Sequence, residues 1–231
     1  MSGANEEGPA GDDEAHRVGS RGVSKGVQGG RRRVGLMGGS FNPAHPGHRH
    51  ISLLALKRLR LHEIWWLVSP QNPLKPVAGM APFAERVASA EAMARHPRIK
   101  VSDIERRLGT RYTADTVRAL KRRFPRHRFV WLMGADNLRQ IPDWQNWARI
   151  FMELSIAVFD RPSYSFKALA GKAVARFRRH RLRSRAAALL ADRKPPAWVF
   201  LRNPLHPASA TAIRRTRPRR AEGARQRRVT P

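Results

Sequence analysis

The sequence predicts an α/β fold, a parallel sheet covered by helices on both faces. Two observations carry the prediction. Apolar strand-like runs alternate with stretches whose apolar residues recur at helical spacing, the pattern of βαβ units. The chain has 231 residues, of which 41% are hydrophobic, enough for the core of one domain.

The elements follow in order. VGLMGG (34–39) reads as a short buried strand. Residues 47–61 carry Ile51, Leu53, Leu54, Leu56, Leu59 and Leu61 on a broad helical face. EIWWLVS (63–69) is the next strand, followed by a helix at about 82–95 with Phe83, Val87, Ala90, Met93 and Ala94 at helical spacing. RIKVSDIE (98–105) alternates like a strand. YTADTVRALKRRF (112–124) is a helix with Thr113 or Asp115 available as caps. HRFVWLMG (127–134), LSIAVFD (154–160) and AWVFLR (197–202) complete the strands, and Pro142 and Pro162 punctuate the joins.

Both ends differ from this middle. Residues 1–30 are Gly-rich with almost no large apolar side chains, and 217–231 (RPRRAEGARQRRVTP) are basic. Such composition buries too little to offset ordering entropy, so both read as disordered tails. One domain is expected over 31–216. Within it, 164–196 is a variable basic helical segment: residues 172–185 carry seven Lys or Arg and no acid. Ala173, Ala175, Phe177 and Leu182 give it only a weak stripe, so it reads as a solvated helix pair at the edge of the core.

Composition narrows the function. There is no cysteine, which excludes disulfides and thiolate metal sites. No run approaches the ~20 apolar residues of a membrane span. Five acids by residue 14 (Glu6, Glu7, Asp12, Asp13, Glu14) argue against a transit peptide. A soluble cytoplasmic protein without a membrane partner is expected. The formal charge of +29 predicts attraction to polyanions. That supports a rival reading, a basic nucleic-acid-binding protein. The excess is richest in the tail and in 172–220, and few aromatics interleave with the arginines to stack on bases. Nonspecific nucleic-acid affinity alongside another activity fits that distribution.

One stretch carries more. GGSFNPAHPGHRHI (38–51) joins the first strand to the first helix. Gly38 and Gly39 let backbone approach a ligand closely. Pro46 suits the first helical position, and the N–H groups there attract anions. His45 and His48, three apart, can point into one anion site; His50 lies on another side of the helix and reads as structural. A solvated His-rich loop is the bland alternative, and the Gly-Gly strand end and helix start weigh against it. A metal pair is the other one, but no acid lies between Glu14 and Glu63 to complete it locally. Neither the G-x-x-x-x-G-K-[ST] loop nor the G-x-G-x-x-G fingerprint is present at this turn.

GSFNPAHPGH resembles the H-x-G-H signature of the nucleotidylyltransferase superfamily, in its GxFxPxHxGH form. SPQNPLK (69–75), RYTADTVRAL (111–120), LMGADNL (132–138), DWQNW (143–147), VFDRPSY (158–164) and ASATAIRR (208–215) are similar, in order, to elements of the nicotinate-nucleotide adenylyltransferase family. Arg111 and Ala208 depart from that pattern, where Ser and Ile are common. The resemblance implies a Rossmann-like nucleotidylyltransferase fold. It implies adenylyl transfer from ATP to nicotinate mononucleotide, giving deamido-NAD and pyrophosphate, with Mg²⁺ carried by ATP. The acceptor phosphate is already ionised, so alignment and charge stabilisation suffice without a strong base. It implies catalytic roles for His45, His48 and Arg214, with His48 nearest the α-phosphate. Gly38, Gly39, Ser40, Asp136, Ser209 and Thr211 would bind ATP. Lys75, Tyr112, Thr113, Trp144 and Arg161 would bind the mononucleotide. Phe41 and Trp147 read as packing residues. Nicotinamide mononucleotide, phosphopantetheine or a CTP-linked alcohol phosphate are the alternative substrates, and the oligomeric state stays open.

Overall fold

A computed structural model describes residues 31–71, 78–161, 165–204, 208, 210, 213 and 214. The expected tails, Lys75, Ser209 and Thr211 lie outside the described residues. The elements run β1 (Arg33–Gly39), α1 (Pro46–Arg58), β2 (Glu63–Val68), α2 (Phe83–Ala94), β3 (Ile99–Ser102), α3 (Ile104–Arg107) and α4 (Thr113–Arg123). They continue with β4 (Arg128–Gly134), α5 (Ala135–Gln140), α6 (Trp147–Glu153), β5 (Ser155–Phe159), α7 (Ser165–Leu169), α8 (Lys172–Phe177), β6 (Arg181–Leu182) and β7 (Trp198–Leu201). Short 3₁₀ turns occupy Ile141–Asp143, Arg178–His180 and Ser184–Asp192.

The sheet is parallel throughout, in the order β3-β2-β1-β4-β5-β7-β6. β2, β5 and β7 are buried at every residue, as strands covered on both faces must be. Successive side chains serve opposite layers. Trp65 joins Leu36, Leu67, Val117, Leu120 and Trp131 on the face covered by α4 to α6 and α8. Trp66 joins Leu56, Leu59, Ala90, Val130 and Leu132 on the face covered by α1, α2 and the 184–192 turn. Burying each such large side chain is worth about 1.5–3 kcal/mol. Both indoles keep their N–H satisfied, Trp65 on Glu63 Oε1 at 3.0 Å and Trp66 on Ser52 Oγ at 2.8 Å.

Three expectations are corrected. The strand at 98–105 stops at Ser102, because Ser102 Oγ accepts the Ile104 N–H at 3.2 Å and starts a helical turn. Neither Thr113 nor Asp115 caps α4, since Tyr112 holds the N-cap position and makes no side-chain cap bond. The basic stretch is not a solvated helix pair. Ala173 and Phe177 are buried, and the Phe177 ring stacks on Phe151 at 4.3 Å. The chain then forms β6, the edge strand, where the Arg181 guanidinium lies 5.2 Å from the Trp198 ring. A charged edge strand discourages further pairing. Among the described residues, no helix is long and apolar enough to cross a membrane.

Candidate active site

The sheet order positions the site. β2 and β3 lie on one side of β1, and β4, β5, β7 and β6 on the other. Ligands of open parallel sheets sit outside the strand carboxyl ends where the order reverses. β1 pairs with β4 from Arg33 opposite Arg128 to Leu36 opposite Trp131. β1 then runs on to Gly39 and β4 to Gly134, so their ends diverge and leave a cleft.

Two cavities occupy this cleft. One, of 350 Å³, is lined by His45, His48, Asp136, Arg161 and Arg214 among others. The second, of 440 Å³, is lined by Glu105, Arg111, Tyr112, Thr113, Trp131 and Trp144 among others. Gly38, Gly39, Ser40, Asn137 and Gln140 line both. They are two compartments of one cleft, each of small-ligand size.

The histidine turn is held from three sides. His45 is the N-cap of α1 and is buried; His48 is the third helical residue. Their rings lie 3.8 Å apart. His48 Nδ1 accepts the His45 backbone N–H at 3.2 Å. That bond requires an unprotonated Nδ1 and puts the ring proton on Nε2, which becomes a donor. Phe41 packs as expected: it is buried, 4.8 Å from the His48 ring and stacked on Trp66 at 5.1 Å. Its backbone is left-handed, with φ of 44°, a costly state for a non-glycine residue that surrounding packing must hold. Gly47 is required for space, since a Cβ there would lie 2.9 Å from His45 Nδ1 and Cε1. His50 bonds the Pro204 carbonyl at 3.0 Å, a structural role.

The C-terminal segment returns to this turn. Arg214 donates to the Asn42 carbonyl at 2.6 Å, and Ala210 lines the histidine compartment. The Ala208 carbonyl lies 3.2 Å from where a Cβ on Gly47 would sit. Asp136 is the second residue of α5, whose N-cap is Gly134. It accepts from Arg161 at 2.8 Å. Arg161 therefore lies with Asp136 on the histidine side, whereas Tyr112, Thr113 and Trp144 line the other compartment. Trp147 packs against the core as expected, edge-on to Phe151 and Phe177.

Sequence reasoning missed four contributors. Asn137 and Gln140 are three apart on α5, a spacing that could have placed them on one face. Arg86 is buried on α2 and forks across the strand ends. It donates to the carbonyls of Ser40 at 2.8 Å, Ser69 at 2.7 Å, Pro70 at 2.8 Å and Ala81 at 3.0 Å. Burial pulls its pKa down from the usual arginine range. Glu105, on α3, is buried and bonds Ser69 and Thr116. Burial pushes its carboxyl up to about 7, against those two hydrogen bonds, which pull it down. Neither residue carried a local signal, because both act through contacts distant in sequence.

A parallel sheet that reverses order at a glycine strand end, followed by a histidine pair opening a helix, makes a phosphate-binding class of site. Residues 36–216 match the model of the cytidylyltransferase-like family. Over 182 residues the chain is 57% identical to a probable nicotinate-nucleotide adenylyltransferase of Parvibaculum lavamentivorans, covering 79% of this chain and 90% of that relative. It is 52% identical over the same length to one of a Bradyrhizobium species, covering 79% and 95%. The fold is similar to that of Plasmodium falciparum nicotinic acid mononucleotide adenylyltransferase complexed with NaAD, with a TM-score of 0.61, 17% identity, and 80% and 83% of the two chains covered. The chain belongs to the cytidylyltransferase-like family and, within it, to the nicotinate-nucleotide adenylyltransferases.

Proposed function

We propose that the cleft transfers the adenylyl group of ATP to nicotinate mononucleotide, with ATP in the histidine compartment and the acceptor in the compartment of Tyr112, Thr113 and Trp144. The observation that carries this reading is the shared wall. Two cavities meet across Gly38, Gly39 and Ser40, so two ligands can present reacting phosphates to each other there.

An acceptor phosphate oxygen attacks the α-phosphorus. The new O–P bond forms as the bond to the β-phosphate oxygen breaks, and its electron pair leaves with pyrophosphate. The nucleophile arrives ionised, so the protein's task is alignment and charge stabilisation. His48 donates from Nε2 to an α-phosphate oxygen, and His45 and Arg214 hold the neighbouring phosphates. Ser209 and Thr211 keep the ATP-binding role that the resemblance implies, and backbone at Gly38, Gly39 and Ser40 contacts the triphosphate. Asp136 faces the adenosine end, oriented by Arg161, whose placement favours the ATP side over the mononucleotide side. Trp144 stacks on the pyridine ring, Tyr112 and Thr113 hold the mononucleotide, and Lys75 keeps the mononucleotide-binding role that the resemblance implies.

No group of three His, Cys, Asp or Glu that could hold a metal occurs among the described residues, and Asp136 is already paired. This donor set fits Mg²⁺ that arrives on the triphosphate and keeps most of its waters, rather than a protein cage. When bound it neutralises phosphate charge. A cytoplasmic location belongs to the same reading. Any nonspecific nucleic-acid affinity would fall to a separate surface groove lined by Arg58, Arg181, Arg183 and Arg202.

The compartments are separable by experiment. Trp144→Ala should raise the KM for the mononucleotide about tenfold, as loss of one aromatic contact implies, and leave the KM for ATP near wild type. An equal rise in both KM values contradicts the assignment.

A further inference from the structure

Glu105 is a buried carboxyl group in the wall of the compartment assigned above to an anionic acceptor. It is 7% exposed, and it lines that cavity beside Tyr112 and Trp131. It makes no ion pair among the described residues. Its bonds go to Ser69, at the end of β2, and Thr116, on α4. The Thr116 hydroxyl is also 2.8 Å from Thr110 Oγ1 and 3.3 Å from the Tyr112 carbonyl. The carboxyl thus anchors the start of α4, which carries Tyr112 and Thr113 into the compartment.

Charged or titratable groups flanking Glu105 include Asp103, Arg106 and Arg107 on its own helical turn, Arg111, Tyr112 and Asp143 in the same cavity wall, Asp115 on α4, and Arg86 on α2, which donates to the Ser69 carbonyl. The Arg86 guanidinium is committed to backbone carbonyls. The paired histidines occupy the adjoining compartment.

We propose that Glu105 is a specificity-determining residue of the acceptor compartment, taking up a proton when an anionic mononucleotide binds so that a neutral carboxyl group faces the ligand. The inference rests on the functional reading above. A second negative charge close to a buried carboxyl favours its protonated form. Burial already brings Glu105 to about 7, so little further shift is needed. The sign follows by linkage. The ligand prefers the protonated enzyme, so affinity for the acceptor is highest below about pH 7. It falls as pH rises, by up to about tenfold per pH unit. An acceptor with an uncharged ring substituent brings less charge and takes up less proton, so the effect favours the acid over the amide most strongly at low pH.

The test is calorimetric titration of the full chain with nicotinate mononucleotide at pH 7.5, in buffers of different ionisation enthalpy, for wild type and Glu105→Gln. Wild type should take up a fraction of a proton that the variant lacks. The KM for the acceptor should rise with pH in wild type more than in the variant, which keeps a hydrogen-bonding side chain of the same size. The ligand's own phosphate titrates equally in both and cancels. Equal uptake in both proteins overturns the role of Glu105 and leaves the functional reading standing. Wild type that binds no mononucleotide overturns both. Should the variant not fold, carboxyl ¹³C shifts of the wild type decide. A glutamate signal titrating near neutrality and moving upward with ligand is expected, and its absence refutes the proposal.

Discussion

His48→Ala lowers turnover by at least about 100-fold, the loss for removing one donor aimed at charge that develops in the transition state. The backbone N–H of His45 bonds His48 Nδ1, which makes Nε2 the donor in the proposed phosphate contact. Phe41 and Trp66 pack against the ring, so little ordering remains when substrate binds. The fall should appear in kcat with the KM for the acceptor nearly unchanged, because the compartment proposed for the acceptor lies across the shared wall. Single-turnover kinetics with a circular-dichroism control separates this from unfolding. A rate near wild type removes His48 from the chemistry.

Arg86→Ala destabilises the fold by on the order of 3 kcal/mol. Four backbone carbonyls lose a charged donor together, and bonds to charged groups are worth about 1.5–3 kcal/mol each before water and relaxation recover part of the loss. For a domain of this size the midpoint of thermal unfolding should drop by about 6–12 °C. Arg86→Lys should recover little, since an ammonium cannot fork across carbonyls on different loops. Activity should fall with stability, because Ser40 and Ser69 both line the acceptor compartment. Differential scanning calorimetry that finds an unchanged midpoint would show that the strand ends are held by something else.

The contrast between these two residues says what the sequence could reveal. His48 is legible because its partners are local: a strand end, a proline and a helix start within one turn. The strands are legible for a similar reason. EIWWLV is buried at every position, and its two tryptophans serve opposite layers, so an apolar run alone identifies it. Arg86 and Glu105 are not legible. Each looks like an ordinary surface charge on a helix, and only the folded chain brings Ser40, Ser69 and Pro70 to one guanidinium, or Ser69 and Thr116 to one carboxyl. Arg161 shows a third case. Its presence near the site could be read from VFDRPSY, but its side of the cleft depends on the ion pair with Asp136, which only the folded chain brings together. The basic stretch misled because charge count dominated its reading. Ala173 and Phe177 dock its first part, Ala187, Leu190 and Ala191 dock its second, and β6 pairs with β7 between them.

In the proposed function one cleft brings two phosphates together across Gly38, Gly39 and Ser40. Incubating the protein with Mg-ATP and either nicotinate or nicotinamide mononucleotide, and measuring pyrophosphate release, tests it most directly. Steady release with the nicotinate form, faster than with the amide, is predicted. No release above the ATP-only background with either mononucleotide would rule out adenylyl transfer to a pyridine nucleotide.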